Sequence, residues 1–295
     1  PAPGWLVEAG VRWSVYKAEF DLEGLTVGPL PPFGRMQKTW HDTTFALGLT
    51  VEAAPGLALY GSAARGFRAP NLDDLAVLGD FAAGNRVPNL ELEPESAWNL
   101  EAGLRARSGG WKGGFSGAIT FYRDLFGSVP AFELSGERYF AVDNAGRGFA
   151  WTLEAWGEGP VAGGGTAPEL VLFGEAFYTW GRNVTEDQPM ARIPPPQGRL
   201  GWRLTGPEET WTAELFAAGA LRQDRLAGSD ADDPRVPLGG TPGWWTLGLR
   251  ASAALGAGVR LAAGAENLLD RRYRVHGSGI DAPGLNLFAG MELAF

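Results

Sequence analysis

Alternation of apolar and polar residues is the feature that most constrains this chain. In the last nine residues, LFAGMELAF, the side chains of Leu287, Ala289, Met291 and Leu293 occupy every second position. Successive side chains of a β-strand point to opposite faces, so this stretch predicts a strand with one apolar face. A strand of about nine to eleven residues with an apolar outer face can cross a bilayer. The same pattern also suits the last strand of a soluble β-sandwich, so the other strands must decide.

The same two-residue period recurs along the whole chain, whereas the period of an amphipathic helix does not. In residues 5–16, apolar side chains at odd positions alternate with Glu8, Gly10, Arg12 and Ser14. We count about twelve such strands. They are predicted at residues 5–18, 42–53, 57–65, 95–107, 113–125, 147–157, 168–181, 197–206, 210–222, 243–255, 259–267 and 287–295.

The connections between these strands alternate between long and short. The long ones are residues 19–41, 66–94, 126–146, 182–196, 223–242 and 268–286. The short ones are residues 53–56, 108–114, 158–167, 206–209 and 256–258. Outer-membrane barrels have short periplasmic turns and long extracellular loops. A soluble sandwich has no reason to keep this rhythm, so the pattern predicts an all-β, antiparallel transmembrane β-barrel with a polar lumen.

Composition excludes several classes of protein. The net charge of −9 argues against a nucleic-acid-binding protein, which needs a basic face. The chain has no cysteine, which excludes a disulfide framework and a cysteine-based zinc site. Tryptophan is frequent at membrane interfaces, and the chain has 12. We expect one aromatic girdle of Trp5, Trp111, Trp211 and Phe295 at the short turns, and another of Trp40, Trp180, Trp244 and Trp245 at the long loops.

No residue pattern favours an enzyme or a bound cofactor. A barrel-embedded hydrolase needs a nucleophile and a histidine brought together near the rim. Ser278 lies two residues from His276, which is too local to make a persuasive dyad. No phosphate-binding loop is recognisable either, because the glycines near residue 279 do not join a strand to a helix. We therefore expect a protein without catalytic activity.

Four motifs resemble the barrel of TonB-dependent outer-membrane receptors. They are GFRAPNL at 66–72, PNLELEPES at 88–96, VDNAGRG at 142–148 and AENLLDRRY at 265–273. The resemblance covers essentially the whole chain, and it implies about twelve strands of a barrel of roughly twenty-two. The family's plug, its TonB-binding box and the first strands of its barrel have no counterpart here. Residues 1–295 are accordingly expected to be the C-terminal portion of the barrel domain.

The resemblance also implies a function and partners. Such receptors take up scarce nutrients actively across the outer membrane of Gram-negative-type bacteria, and an iron–siderophore complex or cobalamin is the expected ligand. The implied partners are outer-membrane lipid, TonB acting through a plug, the nutrient, and the barrel-assembly machinery, which would recognise Phe295. The alternative is a passive pore, in which residues 5–18 would pair with 287–295 to close twelve strands. A binding or adhesion surface made of the loops alone is a third possibility.

The candidate ligand-binding residues lie in the predicted extracellular loops. They are Arg65, Arg68, Asn71, Arg86 and His276. Arginines could line a pocket for an anionic iron chelate. A structural role competes with this one in the strand-exit motif, because Pro70 ends strand pairing and Asn71 can cap a turn. In haem receptors of the family a histidine usually follows the first motif, and residues 71–87 contain none.

Two metal-binding hypotheses remain open. Asp230, Asp232 and Asp233 form an acidic loop that could bind calcium, although it lacks the glycine and terminal glutamate of an EF-hand. A solvated acidic loop is the favoured interpretation. His41 and His276 are the two histidines of the chain, and both are expected at the extracellular side, where they could share a haem or a metal.

Overall fold

In the computed structural model, which describes residues 4–76, 78–81, 84–231, 233–256 and 258–293, fifteen strands form one sheet. The strands are β1 (Trp5–Asp21), β2 (Arg35–Ala54), β3 (Leu57–Arg68), β4 (Gly79–Phe81), β5 (Gly84–Val87), β6 (Glu95–Ser108), β7 (Trp111–Leu134), β8 (Glu137–Gly164), β9 (Ala167–Asn183), β10 (Gln188–Pro189), β11 (Gln197–Thr205), β12 (Trp211–Ala220), β13 (Trp244–Gly256), β14 (Val259–Glu266) and β15 (Asn286–Leu293). Short helices are α1 (Leu72–Ala76), α2 (Gly228–Ala231) and a 3₁₀ turn at Pro207–Glu209. Within the described residues, no helix is both long and apolar enough to cross a membrane.

Twelve of the strands form a continuous antiparallel path, β1-β2-β3-β6-β7-β8-β9-β11-β12-β13-β14-β15. Each predicted strand corresponds to one member of this path, so the all-β, antiparallel prediction is confirmed. The three short strands lie at the loop end: β4 pairs with β5, β5 runs parallel to β8, and β10 pairs with β9. In the described part of the chain, β1 pairs only with β2 and β15 only with β14. The sheet therefore has two edges there.

The register places apolar side chains on one face across neighbouring strands. On one face, Val7 lies opposite Leu49, and the next pair along the strand is Ala9 with Leu47. Shifted by one residue, Glu8 lies opposite Gly48 on the other face. A one-residue slip would exchange the two faces, so the alternation of the sequence specifies the register. We call the apolar side the outer face and the polar side the inner face.

The predicted loop at residues 126–146 is wrong. Strand β7 is 24 residues long and β8 is 28, and the two continue as a paired hairpin to a turn at Ser135 and Gly136. Both turn residues have positive φ, 54° and 84°, which suits a tight hairpin turn. Shifts of register next to Tyr122 and Pro130 interrupt the regular alternation on β7. Because of these bulges, the sequence of this part of the strand lacks the strict two-residue period that predicts a β-strand.

The aromatic girdle at the short turns is confirmed for Trp5, Trp111 and Trp211. At the loops, Trp180 and Trp245 follow the outer face as predicted, whereas the prediction is wrong for Trp40 and Trp244. Trp5 and Trp111 belong to the apolar register of the outer face. Trp40 instead lies on the inner face, opposite Tyr16, and only 4% of it is exposed. Trp244 and Trp245 are neighbours on β13, so only one can face outward. Trp211 follows the outer-face register, whereas Phe295 lies outside the described residues.

The assignment of faces predicts different responses to charge at two adjacent positions of β2. Leu47 is on the outer face and 54% exposed, whereas Ala46 lies on the inner face between Gly10 and Ala64. In a bilayer, L47R is expected to cost about 2–4 kcal/mol of unfolding free energy near the midplane. A46R adds its charge to a polar lumen and should cost much less. Denaturant titration of both variants, refolded in lipid vesicles, measures the difference; equal losses would contradict the assignment of faces.

Candidate functional site at the loop end of the sheet

The described residues of the segment between β3 and β6, 69–76, 78–81 and 84–94, fold back onto the inner face at the loop end of the sheet. We call this segment the mouth loop. Its side chains Leu75, Leu90 and Leu92 are buried against Phe20 and Trp40, which belong to the inner face of β1 and β2. Burial of three leucines contributes several kcal/mol, at about 1.5–3 kcal/mol each. The mouth loop is therefore a packed part of the barrel opening.

Two side chains of β2 hold the backbone of the mouth loop. The ammonium group of Lys38 donates hydrogen bonds to the carbonyl oxygens of Leu90 and Leu92, at 3.2 and 3.0 Å. The indole Nε1 of Trp40 also donates to the carbonyl of Leu92, at 3.2 Å. A buried carbonyl without a partner would destabilise the loop, so these donors permit the turn around Leu92 to be buried.

Two asparagines attach the same segment to β8. Asn144 accepts a hydrogen bond from the amide of Glu93 at 2.8 Å, and its Nδ2 donates to the carbonyl of Glu93 at 2.8 Å. The same Nδ2 donates to the carbonyl of Asp124 on β7 at 3.0 Å. Asn89 donates to the carbonyl of Val142 at 2.8 Å. Two of the sequence motifs, PNLELEPES and VDNAGRG, thus meet in a direct contact.

Arg68 joins the two ends of the mouth loop. Its guanidinium group donates to Glu95 at 2.6 Å and to Asp74 at 2.9 Å. The same group lies 4.4 Å from the centre of the Phe126 ring, which is a favourable cation–π distance. Glu95 in turn accepts a hydrogen bond from the amide of Phe126. The loop leaves the sheet at Arg68 and returns at Glu95, so this ion pair closes it at its base.

Asn71 caps helix α1. Its Oδ1 accepts a hydrogen bond from the amide of Asp74 at 2.8 Å, and Asp74 accepts one from the amide of Asn71 at 3.0 Å. This reciprocal pair is a capping box, which satisfies two backbone amides at the start of a helix. The structural role of the GFRAPNL motif is thereby accounted for: Arg68, Asn71 and Asp74 form one connected cluster.

The fourth motif makes a similar cluster in the loop between β14 and β15. Asn267 is buried; its Nδ2 donates to the carbonyls of Arg271 and Pro283. Its Oδ1 accepts a hydrogen bond from the amide of Arg271. Asp270 accepts one from the amide of Leu285, at 2.9 Å. The AENLLDRRY segment therefore joins the beginning and the end of this loop.

Comparison with known proteins agrees with this arrangement of strands and motifs. A family model described as "TonB dependent receptor-like, beta-barrel" matches residues 1–268. This chain belongs to that family. No curated protein sequence is a significant match.

Solved structures share the fold at low sequence identity. The copper transporter OprC superposes with a TM-score of 0.78 at 17% identity, covering 100% of this chain and 46% of that one. The FrpB iron transporter from Neisseria meningitidis has a TM-score of 0.73 at 13% identity, covering 99% and 43%. The ferric enterobactin receptor PfeA of Pseudomonas aeruginosa, in complex with enterobactin, has a TM-score of 0.71 at 17% identity, covering 99% and 52%. The chain thus spans about half the length of these structures.

The predicted ligand-binding residues do not come together in one pocket. Arg65 pairs with both carboxylate oxygens of Asp42, at 2.6 and 2.9 Å, and also donates to the carbonyl of Thr43. Arg86 lies on β5, where its backbone is paired with Gly79 and Phe140. The two parallel bonds between Arg65 and Asp42 fix the plane of the Arg65 guanidinium, so Arg65 is held by the barrel itself.

The structure does not bring the two histidines together: His276 lies in the loop between β14 and β15, and His41 lies on β2. The Nδ1 of His276 is 2.9 Å from the hydroxyl of Thr241, in the loop between β12 and β13. His41 lies on β2, opposite Val15. Burial lowers the pKa of His276, and the charge of Asp230 opposes this shift. Ser278 donates to the carbonyl of Ile280 instead of to His276.

Two of the aspartates proposed for calcium, Asp230 and Asp233, are engaged by groups of the protein itself. Asp230 is buried, and its carboxylate accepts hydrogen bonds from the amides of Arg192 and Ala227. Asp233 pairs with the guanidinium of Arg235 at 2.6 Å, which holds the pKa of that carboxyl far below its usual range. Asp232 lies outside the described residues. In the part of the chain that the structure describes, no group of three or more acidic or histidine side chains could hold a metal.

Sequence reasoning missed the side chains that position the mouth loop. Asn89, Glu95 and Asn144 lie within motifs that resemble the family, so their positions were visible but their contacts were not. Lys38 and Trp40 belong to no motif. Trp40 even follows the period of the strand, and parity alone could have assigned it to the inner face.

Removal of the Asn144 side chain is expected to release the mouth loop. N144A loses three hydrogen bonds and leaves the backbone of Glu93 without partners, which costs about 1–3 kcal/mol of local stability. Hydrogen exchange of the amides of residues 89–93 should therefore quicken while exchange in β11 and β12 does not change. The control is N99A, because the Asn99 side chain donates to Thr120 on the inner face of the neighbouring strand β7. Unaltered exchange in N144A would show that the Asn144 side chain does not hold the mouth loop in place.

Acid is expected to loosen the loop that contains His276. The folded state favours the neutral imidazole, so the contribution of His276 to stability is present above its ordinary pKa of about 6.5 and is lost as the pH falls through the lower, folded-state pKa. An NMR titration of the ring should give a midpoint below 6.5. T241V removes the hydrogen bond but not the burial, so its midpoint should also be low. A wild-type midpoint at or above 6.5 would refute the assignment.

Proposed function

We propose that this chain is the C-terminal barrel portion of a receptor for TonB-dependent active uptake at the outer membrane. The observation that carries the proposal is the mouth loop, which is packed and hydrogen-bonded onto the inner face of a family barrel. A fixed segment at the opening provides a preorganised surface for a ligand.

The proposed ligand is an anionic metal chelate, with an iron–siderophore complex or cobalamin as the leading candidates. Arg192 and Arg272 support this choice, because their side chains at the loop end are 68% and 88% exposed although each also pairs with an aspartate, Asp233 and Asp281 respectively. Exposed cations raise the local concentration of an anionic ligand and its rate of binding. Related structures are described as a copper transporter and as a receptor in complex with enterobactin, which favours metal chelates over oligosaccharides.

The proposal gives the five predicted ligand-binding residues two different roles. Arg68 and Asn71 act through the mouth loop, which they close and cap. Arg65 acts through Asp42. Arg86 and His276 remain candidates for contact with a ligand, since both belong to segments at the loop end. TonB acting through a plug and recognition of Phe295 by the assembly machinery remain predictions.

A passive pore is the second candidate. It requires β1 to pair with β15, so that twelve strands close. The pairing of the described residues leaves both strands at the edges of the sheet, which supports active uptake over this alternative.

Transport in cells separates the two functions. The full-length receptor of which this chain is the proposed C-terminal portion is expressed in a bacterium without its own ferric enterobactin and cobalamin receptors, with and without TonB. Uptake of radiolabelled ferric enterobactin or cobalamin is expected only with TonB. Replacement of Arg192 and Arg272 by Gln should weaken uptake of ferric enterobactin several-fold, whereas R107Q, at the short-turn end, should not. Steady conductance in planar bilayers without any energy source would instead favour the pore.

A further inference from the structure

The outer face carries a depression that crosses six strands. In direct register from β7 to β13 lie Phe115, Ala155, Ala176, Gly198, Gly219 and Trp245. Four small residues thus separate two aromatic side chains. The large rings stand above the sheet as walls and the small residues form a floor.

This depression is a groove with a volume of about 870 Å³, within the range of pockets that bind small molecules. Leu153 and Tyr178 line it beside Phe115, and it reaches the loop end of the sheet at Leu221. Its glycine floor cannot be filled without a shift of the sheet. A Cβ at Gly198 would lie 2.5 Å from the carbonyl oxygen of Glu175, and one at Gly219 would lie 2.6 Å from that of Trp244.

Two arginines line the loop end of the groove. The guanidinium carbon of Arg271 lies 3.9 Å from the centre of the Trp245 ring, and among the described residues this guanidinium forms no ion pair. Arg222 donates to the carbonyl of Gly239 at 2.7 Å, and its other contact is a loose ion pair with Asp224 at 3.5 Å. Both groups can therefore accept a further anionic partner.

The groove combines an apolar trough with positive charge at one end. An amphiphile with a hydrocarbon chain and an anionic headgroup has the complementary shape and charge. The groove opens on the outer face, where the barrel would contact lipid, and not on the inner face, where a soluble nutrient would pass. Its charged end lies on the side of the long loops, which corresponds to the outer leaflet.

We propose that the groove binds an acyl chain of a phosphorylated lipid of the outer leaflet, with the phosphate between Arg222 and Arg271. Phosphate accepts charge-assisted hydrogen bonds from guanidinium groups, and these are stronger than neutral ones. Stacking on Trp245 holds the Arg271 group at the level of the headgroups. The inference rests on the proposed placement of the barrel in the outer membrane, and it is independent of the nutrient.

Lipid retention tests the proposal. The full-length protein that contains this chain is refolded in nanodiscs of phosphatidylcholine that contain diphosphoryl lipid A, transferred to detergent, and examined by native mass spectrometry for bound lipid. The wild type should retain one lipid A molecule. Replacing Arg222 and Arg271 together by Gln should lower retention about tenfold, and so should A176F, which fills the floor from a side chain that faces outward. The wild type should retain lipid A without its phosphates as poorly as these variants retain diphosphoryl lipid A.

Two control variants test whether a loss of bound lipid A is specific to the groove. R35Q removes an exposed rim arginine far from the groove, and A102F adds a ring to the outer face of β6. Both should retain lipid A like the wild type. Equal retention of lipid A with and without phosphate, or equal loss in R35Q, would overturn the proposal. Loss of TonB-dependent uptake with lipid retention intact would count against the proposed function and leave the groove in place.

Discussion

The demand for backbone hydrogen bonds governs the whole structure. In hydrocarbon an unpaired amide or carbonyl group costs several kcal/mol, so a strand inside a bilayer needs a partner on each side. The antiparallel path from β1 to β15 meets this demand for every strand except the two at its edges. β1 and β15 each present a row of backbone groups to whatever strand adjoins them. The register of the strands then determines the face on which each side chain lies, because neighbouring residues of a strand face opposite sides.

The fold was predictable from the sequence where the period is strict. The twelve long strands follow from alternation, and the short turns follow from glycine-rich segments. The prediction failed where β7 and β8 continue beyond the regular part. Bulges near Tyr122 and Pro130 break the period there, although Ser135 and Gly136 form a recognisable turn pair. The bulges interrupt the alternation of apolar and polar residues, although the backbone hydrogen bonds between β7 and β8 continue.

The candidate site was predictable only as a set of motifs. The sequence indicated which segments matter, and the structure explains why: Arg68 with Glu95, and Asn144 with Glu93, are pairs separated by long stretches of chain. No rule based on spacing along the sequence could have predicted that these residues contact each other. Arginine was expected to bind ligand because it suits anions, yet Arg65 and Arg68 meet carboxylates of the protein itself. Lys38 is the extreme case, since its role depends entirely on where the mouth loop returns to the sheet.

The long hairpin of β7 and β8 has a consequence for how far the protein extends from the membrane. A crossing needs about nine to eleven residues per strand, and β7 has 24. The excess, at about 3.3 Å per residue and with the tilt of a barrel strand, projects roughly 30 Å above the bilayer. Its tip at Ser135 and Gly136 would stand clear of the surrounding headgroups. In the proposed orientation, this tip lies farther from the bilayer than Val87 of the mouth loop, which pairs with Ala141 on β8.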